Sequence, residues 1–314
     1  MASHMYRDVD GLYVSMGFSE EVVRSALAYQ PREDDVFIVS YPKCGTTWMQ
    51  HIVFYIFSGG KPPEDEKQFL LQTPFLEWLG VEGAVHLSRP AAIKTHMPFH
   101  LQPFSEQSKY IYITRNPFDC CVSFYYHTKH LPEYHFENGT FDEFFEFFLK
   151  GQVDFGDYWT HLLSWYKERN RPNVFFLTYE DLKEDTRTWI QKVAEFLGDE
   201  YGSRLRQNPA LLERIFELTS LKHMKSWVND LTVSVLPQMC SMSADSLPPG
   251  IANIAKCAND DMKKPATGDF IRKGQVGDWK NHFSPEQTKR MKEWIEQKTT
   301  GSDVMDLWKD INFE

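Results

Sequence analysis

The stretch from Val36 to Trp48 constrains the fold of this chain more than any other, because a strand, a tight turn and a helix follow one another there. Val36–Val39 is an apolar, mostly β-branched run, typical of a strand buried on both faces in a parallel sheet. Pro42 and Gly45 end this strand, and the apolar residues beyond them recur at helical spacing. The sequence therefore predicts an α/β fold built on a strand–loop–helix unit.

The turn in this unit presents hydrogen-bond donors to an anion. The first amides of a helix have no intrahelical acceptor and carry the positive end of the helix dipole, so Gly45, Thr46 and Thr47 offer free N–H groups. Lys43 adds a full positive charge. In the P-loop of ATPases and GTPases the Lys follows the last Gly, whereas here it precedes Gly45. The turn is thus either a phosphate cradle of another kind or an ordinary strand-to-helix turn with a chance Lys.

Bulk composition narrows the class of protein. With 314 residues, of which 42% are hydrophobic, the chain can bury a substantial core, and we predict a single domain. The formal charge of −10 argues against a nucleic-acid partner. No apolar run is long enough to span a membrane, so we predict no membrane partner. The five irregularly spaced cysteines favour free thiols and a cytoplasmic location. We interpret Met1–His4 as residues left by cloning.

Polar side chains stand at the carboxyl ends of two further predicted strands. They are Lys94, Thr95 and His96 after Ala91–Ile93, and Tyr179 after Val174–Leu177. Because the carboxyl ends of parallel strands meet at one edge of a sheet, we expect these side chains and the turn after Val39 to line one crevice. A histidine by itself is more often structural, but His96 becomes a candidate because Lys94 and a strand end accompany it.

Two motifs carry a resemblance to a known family. Tyr41–Trp48 resembles the 5′-phosphosulfate-binding loop of the cytosolic sulfotransferases, which use 3′-phosphoadenosine 5′-phosphosulfate (PAPS) as sulfuryl donor, although the family usually has Ser at Cys44. Arg272–Trp279 is similar to the family's Arg-Lys-Gly-x-x-Gly-Asp-Trp signature along its whole length. The resemblance covers nearly the whole chain. It implies one domain over residues 5–314, with a mostly parallel central sheet flanked by helices.

The resemblance also implies a donor site for PAPS, or for its product adenosine 3′,5′-bisphosphate (PAP), without a metal. Lys43 would neutralise the leaving phosphate, and Arg115 with Ser123 would contact the 3′-phosphate, for which an Arg fork is well suited. Leu221 replaces a usual Phe, which predicts weaker stacking on the adenine. The predicted donor contacts are Lys43, Cys44, Gly45, Thr46, Thr47, Trp48, Arg115, Ser123, Tyr179, Thr219, Ser220, Leu221, Met224, Arg272, Lys273 and Gly274.

By the same resemblance, His96 is the general base for the acceptor hydroxyl, and Lys43 and Lys94 are the catalytic cations. The predicted acceptor contacts are Phe75, Trp78, Lys94, Thr95, His96, His127 and Phe270. These aromatic residues favour a small phenol, and His127 in place of an aromatic favours an amine-bearing phenol of catecholamine type. Core packing of Phe75 and Trp78, and a solvent-facing His127, are the alternatives.

Two further features concern the acceptor entrance and the oligomeric state. Residues 228–267 lack periodicity and are predicted to form a long loop, a lid over the acceptor. The family dimer motif, Lys…Thr-Val…Glu, is replaced by Lys280…Ser284-Pro285…Lys289, which favours a monomer or a non-standard dimer. Two other functions stay open: a small-molecule kinase, and a non-catalytic protein that binds adenosine bisphosphate.

Overall fold

The computed structural model describes residues 5–313, which contain a parallel sheet and a separate antiparallel hairpin. The predicted cloning remnant Met1–His4 lies outside the described residues. The strands are β1 Tyr6–Val9, β2 Leu12–Ser15, β3 Val36–Val39, β4 Ile93–Thr95, β5 Lys109–Thr114 and β6 Val174–Thr178. β1 and β2 pair antiparallel, and the other four form a parallel sheet in the order β4-β3-β5-β6.

Helices connect the parallel strands and flank the sheet. They are α1 Glu20–Leu27, α2 Thr46–Ser58, α3 Glu66–Gln72, α4 Leu76–Val85, α5 Pro117–His130, α6 Phe141–Leu149, α7 Tyr158–Tyr166, α8 Tyr179–Glu184, α9 Thr186–Leu197, α10 Asp199–Gln207, α11 Pro209–Leu218, α12 Leu221–Asp230, α13 Leu236–Cys240, α14 Asn253–Lys256 and α15 Pro285–Thr299. The predicted α/β fold, with a parallel sheet between helices, is confirmed.

The central strand β3 shows why these residues form a doubly covered sheet. All four of its residues are buried. Phe37 and Val39 belong to the core cluster on one face, whereas Val36 and Ile38 belong to the cluster on the other. Because successive strand residues point to opposite faces, a continuous apolar run is what a sheet covered on both sides requires.

The N-terminal hairpin was not anticipated from the sequence. Its strands have four residues each, too few for a clear alternating pattern. Val9, Leu12 and Val14 are nonetheless buried in the same core cluster as the sheet. The hairpin also bounds the functional cavity, because Ser15 lies on the cavity wall.

The prediction of an unstructured loop over residues 228–267 is wrong. α12 extends to Asp230, a π-helical turn follows at Leu231–Val235, and α13 and α14 lie further along. α12, the π-helical turn and α13 are continuous from Leu221 to Cys240, but the π-helical turn shifts the 3.6-residue repeat, and Pro237 stands in the first turn of α13, where proline is tolerated. Ile251 and Ile254 from this segment pack with Leu79 in a small core cluster of their own.

Within residues 5–313, no helix is long and apolar enough to cross a membrane.

Candidate active site

Each parallel strand is followed directly by a residue of one cavity or of its immediate support. Ser40 follows β3, His96 follows β4, Arg115 follows β5 and Tyr179 follows β6. The cavity has a volume of about 370 Å³. The predicted site residues on its wall are Lys43, Gly45, Thr46, Thr47, Trp48, Phe75, Trp78, Lys94, His96, Arg115, Ser123, His127, Tyr179, Thr219, Leu221, Met224, Phe270, Arg272, Lys273 and Gly274.

Three predicted site residues lie off this wall in the described part of the chain. Cys44 is fully buried, with its Sγ 3.7 Å from the Sγ of Cys120, and its backbone N–H donates to the Tyr41 oxygen at 3.3 Å. Thr95 is fully buried, and its hydroxyl donates to the Glu77 carboxylate at 2.9 Å. Ser220 lines a neighbouring groove at the start of α12. The prediction that Thr95 lines the acceptor pocket is therefore corrected.

The turn after β3 is shaped to let an anion approach its backbone. Gly45 has φ +108°, and a Cβ there would lie 2.9 Å from Cδ2 of Tyr179. Lys43 has φ +66°, and its Nζ lies 3.7 Å from the ring centroid of Phe270. Burial, with Lys94 and Arg115 nearby, lowers the pKa of Lys43 to about 7. An anion bound in the turn would reverse that shift, so this end of the cavity is complementary to a phosphate.

A second group of cations lies at the start of α5 and in the turn before α15. The Arg115 guanidinium lies 4.4 Å from the ring centroid of Tyr179, and its Nη2 donates to the backbone oxygen of Gln275 at 2.8 Å. Arg272 and Lys273 both contact the Asp278 carboxylate, at 2.5 and 2.7 Å. Burial alone would raise the pKa of Asp278, but the hydrogen bonds from Lys273, Asn281 and Arg272 hold it well below its usual range.

Buried donors at this end also fit a nucleotide. Among the residues that the structure describes, neither Arg115 Nε nor Trp48 Nε1 has a hydrogen-bond partner. Trp48 packs edge-on against Tyr179, with their ring centroids 5.5 Å apart. Because buried N–H groups are normally paired, these two donors are ones that a bound phosphate or base could satisfy. The residues present therefore fit a bisphosphorylated adenosine.

His96 is held as a neutral imidazole. Its Nδ1 lies 2.7 Å from the backbone oxygen of Ser40. A carbonyl oxygen only accepts hydrogen bonds, so Nδ1 carries the proton and Nε2 keeps a free lone pair. Burial and the nearby Lys94 lower the pKa of His96 well below its ordinary value. The ring lies between Phe75 and Phe155, with centroid distances of 5.2 and 5.1 Å.

The backbone of His96 is fixed by two groups that sequence reasoning missed. His161 Nε2 donates to the His96 carbonyl oxygen at 3.0 Å, and its Nδ1 lies 3.0 Å from the Tyr112 hydroxyl. Glu77, fully buried in α4, accepts from the His96 N–H at 2.6 Å and from the Thr95 hydroxyl at 2.9 Å through the same oxygen. Burial raises the pKa of Glu77 to about 7. A helical Glu is normally solvated, so the sequence holds no signal for this role.

The far end of the cavity combines aromatic rings with two carboxylates. Asp154 accepts hydrogen bonds from the Ser15 N–H and the Tyr134 hydroxyl, and burial raises its pKa to about 7. Burial likewise raises the pKa of Glu133 to about 7. Within residues 5–313 neither carboxylate forms an ion pair. Sequence reasoning missed both, because Glu133 lies in a single 3₁₀ turn and Asp154 is held by Ser15 and Tyr134, which are distant from it in the chain.

His127 and Phe155 complete this end. His127 lies 5.5 Å from Phe270 and 5.8 Å from Tyr134, ring centroid to ring centroid, so it lines the cavity and does not point to solvent. Its Nδ1 has no partner in residues 5–313, and burial lowers its pKa well below the ordinary value. Phe155 has φ +65°, and its N–H donates to the Tyr13 oxygen at 2.6 Å.

A parallel sheet whose strand ends hold an anion cradle and a neutral histidine defines an enzyme that transfers a group from an anionic donor. The sequence profile of the sulfotransferase domain matches residues 33–238 and 253–303, and the chain belongs to the sulfotransferase family. The predicted family is thus confirmed. Sulfotransferases take the sulfuryl group from PAPS, so the predicted donor is confirmed at the level of the family.

Individual relatives agree with this assignment. The chain is 32% identical to sulfotransferase 1C2 of Oryctolagus cuniculus, over 88% of this chain and 87% of the relative. It is 34% identical to human sulfotransferase 1E1, over 86% of this chain and 85% of the relative. The crystal structure of mouse sulfotransferase SULT7A1 complexed with PAP superposes with a TM-score of 0.69 at 28% identity, covering 98% of both chains.

The described residues contain no cluster of three or more His, Cys, Asp or Glu side chains able to hold a metal ion.

Proposed function

We propose that this sulfotransferase transfers the sulfuryl group of PAPS to a hydroxyl or amine of a small phenolic acceptor, with His96 as general base. One observation carries the proposal: the free Nε2 lone pair of His96 belongs to the same cavity as the cations Lys43 and Lys94. A proton acceptor next to a site for an anionic group is what in-line transfer requires.

The donor would be held at its two phosphate ends. Lys43 and the N–H groups of Gly45, Thr46 and Thr47 hold the 5′-phosphosulfate. Arg115, with Arg272, Lys273, Gly274 and Ser123, holds the 3′-phosphate. The adenine ring of the donor lies between Trp48 and Leu221, with Tyr179, Thr219 and Met224 around it. This assignment is supported by the presence of all these residues on one cavity wall.

Bound PAPS supplies the sulfuryl group. His96 Nε2 accepts the proton of the acceptor as its oxygen or nitrogen attacks, and the Nδ1 bond to Ser40 keeps the lone pair aimed. Lys43 stabilises the negative charge that develops on the leaving phosphate, and Lys94 balances charge on the sulfuryl oxygens. The rings of Phe75 and Phe155 exclude water from the histidine, which strengthens each of these charge interactions.

An amine-bearing phenol of catecholamine type is the preferred acceptor in this proposal. Phe75, Trp78 and Phe270 supply an aromatic slot next to His96. Beyond it, Asp154 is only 2% exposed and has neutral hydrogen-bond donors as partners, while Glu133 stands near it on the same wall. Two uncompensated carboxylates in an apolar cavity are costly, and a ligand ammonium would offset that cost.

The segment 228–267 is proposed to act as the acceptor lid. Leu231, Leu236, Cys240, Met262 and Ala266 from this segment lie on the cavity wall. α12, the π-helical turn and α13 are continuous up to Cys240, and residues 241–249 then connect them to the rest of the segment. Proteolytic nicking within 241–249 should therefore change the acceptor KM, and an unchanged KM would contradict the lid.

The free cysteines and the start of α15 bear on cellular location and on oligomeric state. All five cysteines are free, which supports a reducing compartment, the cytoplasm. The altered residues Ser284 and Pro285 open α15, where Ser284 forms a capping box with Gln287. Because this helix start is occupied by its own cap, we propose a monomer or a dimer formed through another surface.

Two measurements test the proposed function. Titration calorimetry should show binding of PAP and much weaker binding of ATP. A small-molecule kinase would show the reverse order of affinities. A sulfate-transfer assay with tyramine, dopamine and 4-ethylphenol should give product for all three, with the lowest KM for the amines. Binding of PAP without transfer to any phenol, sterol or amine would favour the non-catalytic alternative.

A further inference from the structure

The 3′-phosphate site is assembled from two segments that are far apart in the chain, the start of α5 and the turn before α15. We infer that Asp119, in the first turn of α5, is the positioning residue that joins them and thereby sets the preference for a 3′-phosphorylated nucleotide. The inference rests on the proposed donor site, and Asp119 itself is not on the cavity wall within residues 5–313.

The Asp119 carboxylate is only 2% exposed. Its Oδ2 accepts from the Gly277 N–H at 2.7 Å and from Asn116 Nδ2 at 2.9 Å. Its Oδ1 accepts from the Trp279 N–H at 3.0 Å. The same carboxylate lies 4.0 Å from Nη2 of Arg115. One buried side chain therefore contacts both segments.

The two backbone bonds lie on either side of the residue that organises the cations. Gly277 and Trp279 flank Asp278, whose carboxylate contacts Arg272 and Lys273. Fixing the N–H groups on both sides of Asp278 fixes the place of its carboxylate, and so the place of both cations. The Arg115 bond to the Gln275 oxygen draws the same turn onto α5.

A carboxylate is the side chain that this position requires. Both of its oxygens face N–H donors, and an amide would turn its own N–H₂ towards at least one of them. The negative charge also compensates Arg115, whose burial would otherwise be costly. Asp119→Asn therefore keeps the size of the side chain but disconnects the turn from α5.

Calorimetry with two nucleotides separates this role from a general effect on folding. PAP carries the 3′-phosphate, and adenosine 5′-monophosphate is the matched ligand without it. For Asp119→Asn we expect the Kd of PAP to rise by about 10- to 100-fold, the usual range for losing hydrogen bonds to a charged group, while the Kd of the monophosphate stays within about twofold. Asp310→Asn, an exposed position near the C-terminus, controls for the change in net charge.

A second variant tests the same connection without altering the carboxylate. Gly277 has φ +86° and open space where a Cβ would be, so Gly277→Ala strains only the backbone that presents the N–H to Asp119. We expect it to weaken PAP binding by about threefold and to spare the monophosphate. If Asp119→Asn does not fold, the PAP affinity of Gly277→Ala alone decides whether Asp119 acts as the positioning residue.

The outcomes are distinct. Equal losses for both nucleotides, or no loss for PAP in either variant, would overturn the role of Asp119. If the wild-type protein itself does not prefer PAP over the monophosphate, the proposed donor site fails, and the inference fails with it.

Discussion

The two ends of the cavity are built on different physical principles. The donor end is a set of cations at strand ends and in one turn, fixed by backbone hydrogen bonds and carboxylate partners such as Asp278. The acceptor end is a set of aromatic rings around His96, with Asp154 and Glu133 lacking counter-ions in the described residues. In the proposed function, the donor end is therefore preorganised for a fixed anion, whereas the acceptor end favours a cationic group that compensates its two carboxylates.

The largest expected effect separates chemistry from donor binding. His96→Ala removes the proton acceptor but none of the donor cations, so kcat should fall by about 100- to 10,000-fold while the Kd of PAP stays unchanged. Steady-state kinetics and calorimetry on the same preparation measure both. Substantial residual turnover would remove His96 from its role, and a parallel loss of PAP binding would erase the distinction between the two ends.

Lys43→Ala should affect both chemistry and donor binding. The ammonium of Lys43 is proposed to stabilise charge that develops on the leaving phosphate, so we expect kcat to fall by about 100- to 1,000-fold. PAP should also bind more weakly, in contrast to the His96 variant. Lys192→Ala is a control, because this lysine is exposed on α9 and is not among the described residues of the cavity wall. A Lys43 variant with normal kcat would show that the turn only binds.

Glu77 tests whether the acceptor end depends on buried support. Glu77→Ala leaves the His96 N–H and the Thr95 hydroxyl without their acceptor, and two buried unpaired donors should displace the histidine. We expect kcat to fall by about 10- to 100-fold, with unchanged PAP affinity and a lower Tm. Glu77→Gln keeps one oxygen acceptor and should recover most of the activity. Equal activity of the Ala and Gln variants would contradict a positioning role.

The same comparison explains what the sequence could predict. Donor residues stand in contiguous motifs at the ends of strands, so turn chemistry located Lys43 and the strand-end argument located Tyr179, while Arg115 was located by the family resemblance. The acceptor end is assembled across long distances in the chain, because the hairpin residue Ser15 fixes Asp154 through one hydrogen bond. No local pattern encodes such a contact. The helices of 228–267 were not predicted for another reason, since the π-helical turn at Leu231–Val235 shifts the apolar repeat and α14 is a single turn.

The amine preference can be tested through its pH dependence. The pKa of Asp154 is raised to about 7, so the group binds a proton near neutral pH, and an ammonium ligand would favour the carboxylate form. The KM for tyramine should therefore fall as pH rises from about 6 to about 8, while the KM for 4-ethylphenol stays flat.

Asp154→Asn should raise the tyramine KM by about tenfold and abolish its pH dependence. Glu133→Gln should give a smaller change in the same direction. Glu133 lies on the same cavity wall, but the negative charge of the nearby Asp261 also raises its pKa, so less of it is ionised near neutral pH. The neutral phenol is the internal control, since any effect on His96 acts on both acceptors. Identical pH profiles for the two acceptors would refute the amine site.

The smallest expected effect concerns the donor end, where one residue departs from the family pattern. Leu221 is 36% exposed and lies over Gly274, since a Cβ on that glycine would be 2.7 Å from Cδ1 of Leu221. Leu221→Phe should extend the stacking surface opposite Trp48 and tighten PAP binding by about threefold, less than a full stacking interaction because the leucine already covers the base. Acceptor KM should not change. If the phenylalanine instead weakened PAP binding, its ring would be displacing the 272–274 turn, and the two walls of the donor end would be packed too closely for an aromatic clamp.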